Sequence, residues 1–85
     1  GWEVVSGRWK YMESNGEYVK SRWLLVRSTW YHFDANGWMQ TGWLQLGGSK
    51  YYLESSGAMT SNGWHWIENV CYYFDNNGYC MFRGM

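Results

Sequence analysis

Four tryptophans set the frame of this 85-residue chain: Trp2, Trp23, Trp43 and Trp64 stand 21, 20 and 21 residues apart. Seven residues after each come Trp9, Trp30, Lys50 and Cys71. Two places further lie Tyr11, His32, Tyr52 and Tyr73, followed by Met12, Phe33, Leu53 and Phe74. An acidic residue comes next every time (Glu13, Asp34, Glu54, Asp75). Glycine then recurs at Gly16, Gly37, Gly57 and Gly78, inside ESNG, DANG, ESSG and DNNG. Two residues past each glycine sit Tyr18, Met39, Met59 and Cys80. A period of this length marks one supersecondary unit used repeatedly. The copies run over residues 1–21, 22–41, 42–62 and 63–85, read as a single repeat domain.

Each unit reads as strand, tight turn, strand and second turn. Aromatics make up 22% of the chain, with eight Trp, eight Tyr, 11 Gly and no Pro, which favours strands and turns over helices. Two-residue turns are expected at Ser6-Gly7, Arg27-Ser28, Gly47-Gly48 and Glu68-Asn69. Three of these carry Gly or Asn suited to positive φ, and Arg27-Ser28 does not. Such turns place Trp2 opposite Tyr11 and Glu3 opposite Lys10, with Trp2, Val4, Trp9 and Tyr11 on one face. An isolated hairpin is marginal in water, whereas stacked hairpins bury a shared face. The expected fold is therefore all-β: a β-hairpin solenoid of four tandem repeats of about 20 residues, with most of the aromatic rings as its core.

Charge and composition narrow the function. Seven basic and seven acidic residues balance, so nothing electrostatic points to nucleic acid or an anionic membrane. No apolar run approaches the roughly 20 residues of a transmembrane segment. The chain opens at Gly1 without a leader-like stretch, as expected of a mature, excised or engineered piece. Catalysis is not expected: Asp34 and Asp75 sit in turn motifs where Asp bonds local backbone, and no nucleophile motif is present. Two cysteines with only His32 and His65 elsewhere make no convincing metal set, and no cofactor is implied.

The stretch Trp30-Tyr31-His32-Phe33-Asp34-Ala35-Asn36-Gly37-Trp38-Met39-Gln40-Thr41-Gly42-Trp43 is similar to the choline-binding, or cell-wall-binding, repeats of Gram-positive surface proteins and phage lysins. Glucan-binding repeats of glucansucrases and the short repeats of clostridial toxins are related. The resemblance covers nearly the whole chain. It implies ligand sites between consecutive hairpins, each a box of two aromatics from one repeat and one from the next, often with a Met. A trimethylammonium group suits such a box because it is a weakly hydrated cation drawn to ring faces.

Carried across, the resemblance places the best site at Trp23, Trp30 and Tyr52, with Met59 or Met39 nearby. A second box of Trp2, Trp9 and His32 has imidazole as its third wall, which makes it weaker and pH-sensitive. At the third junction Trp43 and Tyr73 keep their places, but Lys50 stands where a tryptophan belongs. Its ammonium can lie over those rings and repel a cationic ligand. Cys71 and Cys80 replace a box tryptophan and the box methionine. They either form a disulfide that staples the terminal repeat or remain two free thiols.

The resemblance thus implies a non-catalytic module that recognises choline on cell-wall teichoic acid. Such a module is secreted or surface-attached, of bacterial or phage-lysin origin if natural. Two alternatives stand beside it. One is a glucan or cell-surface glycan binder, for which the planar polar candidates Gln40, Gln45 and Asn62 are few. The other is a structural or designed repeat scaffold without a small ligand, prone to self-association through exposed edges and rings.

Overall fold

Every regular element in the computed structural model, which describes residues 1–84, is a β-strand. The strands are β1 (Trp2–Val5), β2 (Arg8–Tyr11), β3 (Arg22–Val26), β4 (Thr29–Phe33), β5 (Gly42–Leu46), β6 (Ser49–Leu53), β7 (Gly63–Ile67), β8 (Val70–Phe74) and β9 (Cys80–Arg83). They pair as antiparallel hairpins β1–β2, β3–β4 and β5–β6, with β7–β8–β9 as a three-stranded sheet. The all-β, hairpin-based reading holds. Two compact units divide the chain, Gly1–Gln40 and a second from Thr41 onward, each holding two hairpins.

The expected turns and registers form. Trp2 stands opposite Tyr11 and Glu3 opposite Lys10. Trp23 pairs with His32, Trp43 with Tyr52 and Trp64 with Tyr73 at the equivalent positions. Ser6-Gly7 and Glu68-Asn69 hold both central residues at positive φ, as a two-residue hairpin of this twist requires. Arg27 (φ 49°) and Ser28 (φ 66°) adopt the same conformation without the chemistry that favours it. Non-glycine residues in this region cost about 1 kcal/mol or more. The cross-strand register from Arg22–Phe33 to Val26–Thr29 imposes the turn regardless.

The second turn of each unit explains the recurring acid and glycine. Asp34 Oδ1 accepts the backbone N–H of Asn36 and Trp38, both at 2.9 Å. Asp75 Oδ1 does the same for Asn77 and Tyr79. The glycine three places on donates to the acid's carbonyl in all four copies. Gly37 does so at φ 86° and buried, with the Val19 carbonyl 3.4 Å from where a Cβ would sit. These carboxylates build turns.

Packing departs from expectation in one respect. The fully buried side chains are Phe33, Phe74, Leu53 and Val19, and all eight tryptophans keep some exposure. Strand alternation is the cause. Phe33 in the first unit, and Leu53 and Phe74 in the second, point to the opposite face of their hairpins from Trp23/Trp30, Trp43 and Trp64, so within each unit the core is built from the face that the tryptophans do not occupy. The tryptophans expected in the core keep part of their surface exposed instead.

The last sheet brings a second correction. β9 runs back along β8 with a bulge at Tyr73/Phe74, an element the repeat pattern gave no reason to expect. Cys80 lies opposite Phe74, whereas Cys71 lies opposite Trp66, three positions away along β8. At about 3.3 Å per residue that is roughly 10 Å, beyond disulfide reach. Both are free thiols. Burial pushes the Cys80 thiol above its usual value, opposed in part by the charge of Lys50.

The strained second hairpin generates a test. Replacing Arg27-Ser28 by Asn-Gly should stabilise the protein by about 1 kcal/mol, because the replacement pair adopts these dihedrals at little cost. Urea unfolding of wild type and the double variant measures it; an equal or lower midpoint contradicts the strain.

Candidate functional site

The ring clusters follow from which face each strand presents. In the first unit, Trp2 and Trp9 share a face of β1–β2, their ring centroids 6.0 Å apart at 87°. Tyr11 stands edge-on to Trp2 from the same hairpin at 5.2 Å. From the second hairpin comes Tyr31, 4.8 Å from Trp2 at 75°, with Phe33 behind it at 5.8 Å. Trp2 is half-buried and Trp9 is 44% exposed, so one side of this corner stays open to solvent. The backbone N–H of Met39 donates to the Trp9 carbonyl at 2.9 Å, which holds the methionine position beside it.

The second unit repeats the arrangement. Tyr52 is 5.0 Å from Trp43 within its own hairpin, and Tyr72 approaches from the next at 4.8 Å and 69°, with Phe74 at 6.2 Å. In place of Trp9 stands Lys50, whose Nζ lies 4.5 Å from the Trp43 ring centroid. The ammonium expected to lie over that ring does so.

The third wall differs from expectation by one residue. Tyr31 meets Trp2, whereas His32 is buried, edge-on to Trp23 at 4.9 Å, with Nδ1 hydrogen-bonded to Gln40 Oε1. Likewise Tyr72 meets Trp43, whereas Tyr73 lies against Trp64 at 5.3 Å. Successive side chains point to opposite faces, and the face that meets a neighbouring hairpin carries Tyr31 and Tyr72. One sequence signal pointed there: Tyr31, Tyr51 and Tyr72 recur at equivalent positions.

Of the remaining candidates, Trp23 and Trp30 share a face of β3–β4 in the first unit, as Trp2 and Trp9 do on β1–β2. Tyr52 belongs to the second unit and faces Trp43 there. Met39 bridges Phe33 and Met59 bridges Leu53. Met59 rests on Gly78 so closely that a Cβ there would strike its sulfur. His65 Nε2 bonds the Ser61 carbonyl at 2.8 Å and its ring packs on Phe74, a structural placement.

Other rings are filled by the chain's own cations. Arg8 and Lys10 lie 4.4 and 4.3 Å from the Trp38 centroid, and Lys10 also lies 4.7 Å from Tyr18. The Tyr18 hydroxyl donates to Glu3 at 2.8 Å, and that carboxylate raises the phenol above its usual range. Among the described residues no group of His, Cys, Asp and Glu is placed to hold a metal ion.

Comparison with known proteins bears on this geometry. The choline-binding repeat profile matches residues 19–64, and the cell wall binding repeat profile matches residues 62–80. The choline binding domain of Spr1274 from Streptococcus pneumoniae aligns at TM-score 0.83 and 30% identity, over 96% of this chain and 94% of that one. Choline binding protein F of the same organism aligns at TM-score 0.84 and 43% identity, over 94% of this chain and 27% of that one. A multimodular pneumococcal cell wall endolysin from phage Cp-1, solved with choline, aligns at 0.73 and 38%, over 94% and 24%. The chain thus spans about a quarter of the length of the last two proteins. No match is found among curated proteins.

A double-mutant cycle tests the shifted third wall. Removing Trp2 and Tyr31 singly and together should give a coupling energy of about 1 kcal/mol, the worth of an edge-to-face pair, and near zero for Trp2 with His32. Denaturant unfolding supplies the energies, and a larger coupling to His32 would make the imidazole the third wall after all.

Proposed function

Because the chain belongs to the family of choline-binding repeats, we propose that it is a non-catalytic module binding choline on cell-wall teichoic acid, its four repeats continuing as a β-hairpin solenoid. On this reading it holds itself, or a catalytic or adhesive partner joined to it, at a bacterial cell surface. The observation that carries the proposal is the corner formed by Trp2, Trp9 and Tyr31, three rings with one side open to solvent.

A trimethylammonium group has no hydrogen-bond donor and a diffuse charge, so ring faces suit it better than a carboxylate does. Each ring contact contributes about 0.5–1 kcal/mol, or 2 when desolvated. Three such contacts give weak binding at a single site, and a wall bearing many choline groups raises the effective affinity through multiple sites. We extend the proposal to the Trp23–Trp30 pair, which occupies the same register positions in its own hairpin. Sugar recognition is less well supported. It calls for planar polar side chains beside the rings, and Gln40 is engaged by His32 while Asn62 donates to Ser61.

Choline titration followed by tryptophan fluorescence is the direct test. Wild type should respond in the millimolar range and give no response to glucan oligosaccharides. Trp9→Ala should weaken the response by about 5- to 30-fold, corresponding to 1–2 kcal/mol. Trp66→Ala, removing a ring that is 72% exposed and outside these corners, should leave affinity unaltered. A flat choline titration, or equal loss in both variants, overturns the proposal.

A further inference from the structure

The two corners described above are built to nearly the same dimensions. Trp2 and Tyr31 stand 4.8 Å apart at 75°; Trp43 and Tyr72 stand 4.8 Å apart at 69°. The cross-strand tyrosines lie at 5.2 and 5.0 Å, and the phenyl rings behind at 5.8 and 6.2 Å. One component differs. Where the first corner has the indole of Trp9, 6.0 Å from Trp2, the second has the ammonium of Lys50, 4.5 Å from Trp43. Among the described residues no carboxylate lies within ion-pair distance of Lys50, whose side chain is exposed, so a ring face is its partner by geometry.

We infer that Lys50 is a tethered surrogate ligand: its ammonium occupies a latent quaternary-ammonium site made by Trp43 and Tyr72 and keeps free ligand out of it. The inference rests on the choline reading of the first corner for the identity of the ligand, and on the duplicated ring geometry for the site. Its physical basis is that a cation attached to the same hairpin loses no translational entropy in reaching the ring, so a free cation at millimolar concentration competes poorly. The lysine does two things at once. It excludes the ligand, and it supplies in the unliganded protein the cation–ring contact that the first corner gains only on binding. The second corner is thereby ligand-independent.

Removing the charge should therefore uncover a site. Lys50→Gln leaves Trp43 and Tyr72 in place without the ammonium. Lys50→Trp rebuilds the missing wall with the residue found at the same register position in the first two hairpins, Trp9 and Trp30, where the strand accommodates it. The indole Nε1–H signals of Trp2, Trp9 and Trp43, resolved by NMR during choline titration, report each corner separately. In wild type, Trp2 and Trp9 should shift and Trp43 should not. In Lys50→Trp, Trp43 should titrate with an affinity within about threefold of the first corner, since the ring sets match. In Lys50→Gln it should titrate more weakly, and choline should raise that variant's melting temperature by more than it raises that of wild type.

A Trp43 signal that titrates in wild type alongside Trp2 overturns the inference. So does one that stays fixed in both variants while Trp2 responds, and that result leaves the function proposed above intact. A Trp43 response in Lys50→Trp with Trp2 and Trp9 silent upholds the latent site and rejects the first corner. Silence of every indole in all three proteins overturns both.

Discussion

A two-stranded hairpin has two faces and too little area to bury either by itself, and that shortage governs this protein. Within each unit the chain meets it by setting a tryptophan on one hairpin edge-on to a tyrosine of the next, Trp2 to Tyr31 and Trp43 to Tyr72. Phe33 and Phe74 close up behind those contacts and are fully buried. An edge-to-face pair is worth about 0.5–1.5 kcal/mol beyond its buried area. Registers, turns and core position all serve to bring these rings together.

The same contact yields the candidate function. Rings that meet edge to face cannot cover one another completely, so the corner between Trp2, Trp9 and Tyr31 keeps ring surface in reach of solvent. Packing and recognition share side chains here, and the tryptophans are accordingly less buried than Phe33, Leu53 and Phe74. Charge then distinguishes one corner from another. Lys50 over Trp43, and Arg8 with Lys10 over Trp38, show the chain answering its own ring faces with its own cations.

Much of this was legible in the residues because it is local. The period, the hairpin registers and the turn-building role of Asp34 and Asp75 depend on residues a few places apart. The Lys50–Trp43 contact was legible for the same reason, since both belong to one hairpin. The third wall was not. Choosing between Tyr31 and His32, or Tyr72 and Tyr73, requires knowing which face of a hairpin meets its neighbour, and no short-range pattern states it. Nor was β9 legible: Cys80 opposite Phe74 repeats the bridges of Met39 with Phe33 and Met59 with Leu53, but the onward pairing of Phe82 and Arg83 with Tyr73 and Tyr72 past a bulge comes where the other copies run into their connectors. Taking most of the rings for core overlooked that Phe33, Leu53 and Phe74, on the opposite face, already fill it.

The spacing of 20 residues among spacings of 21 has a structural address. From each leading tryptophan to its second-strand partner is always nine residues, and from each turn acid to its glycine always three. Only the connector from glycine to the next tryptophan varies: seven residues from Gly16 to Trp23, six from Gly37 to Trp43, seven from Gly57 to Trp64. These connectors hold the left-handed residues Ser21, Gly42, Asn62 and Gly63. A residue gained inside a strand would carry the side chains beyond it to the opposite face. A loop or label grafted at those joints therefore leaves both faces of every strand as they are, because the added length falls between hairpins and not within one.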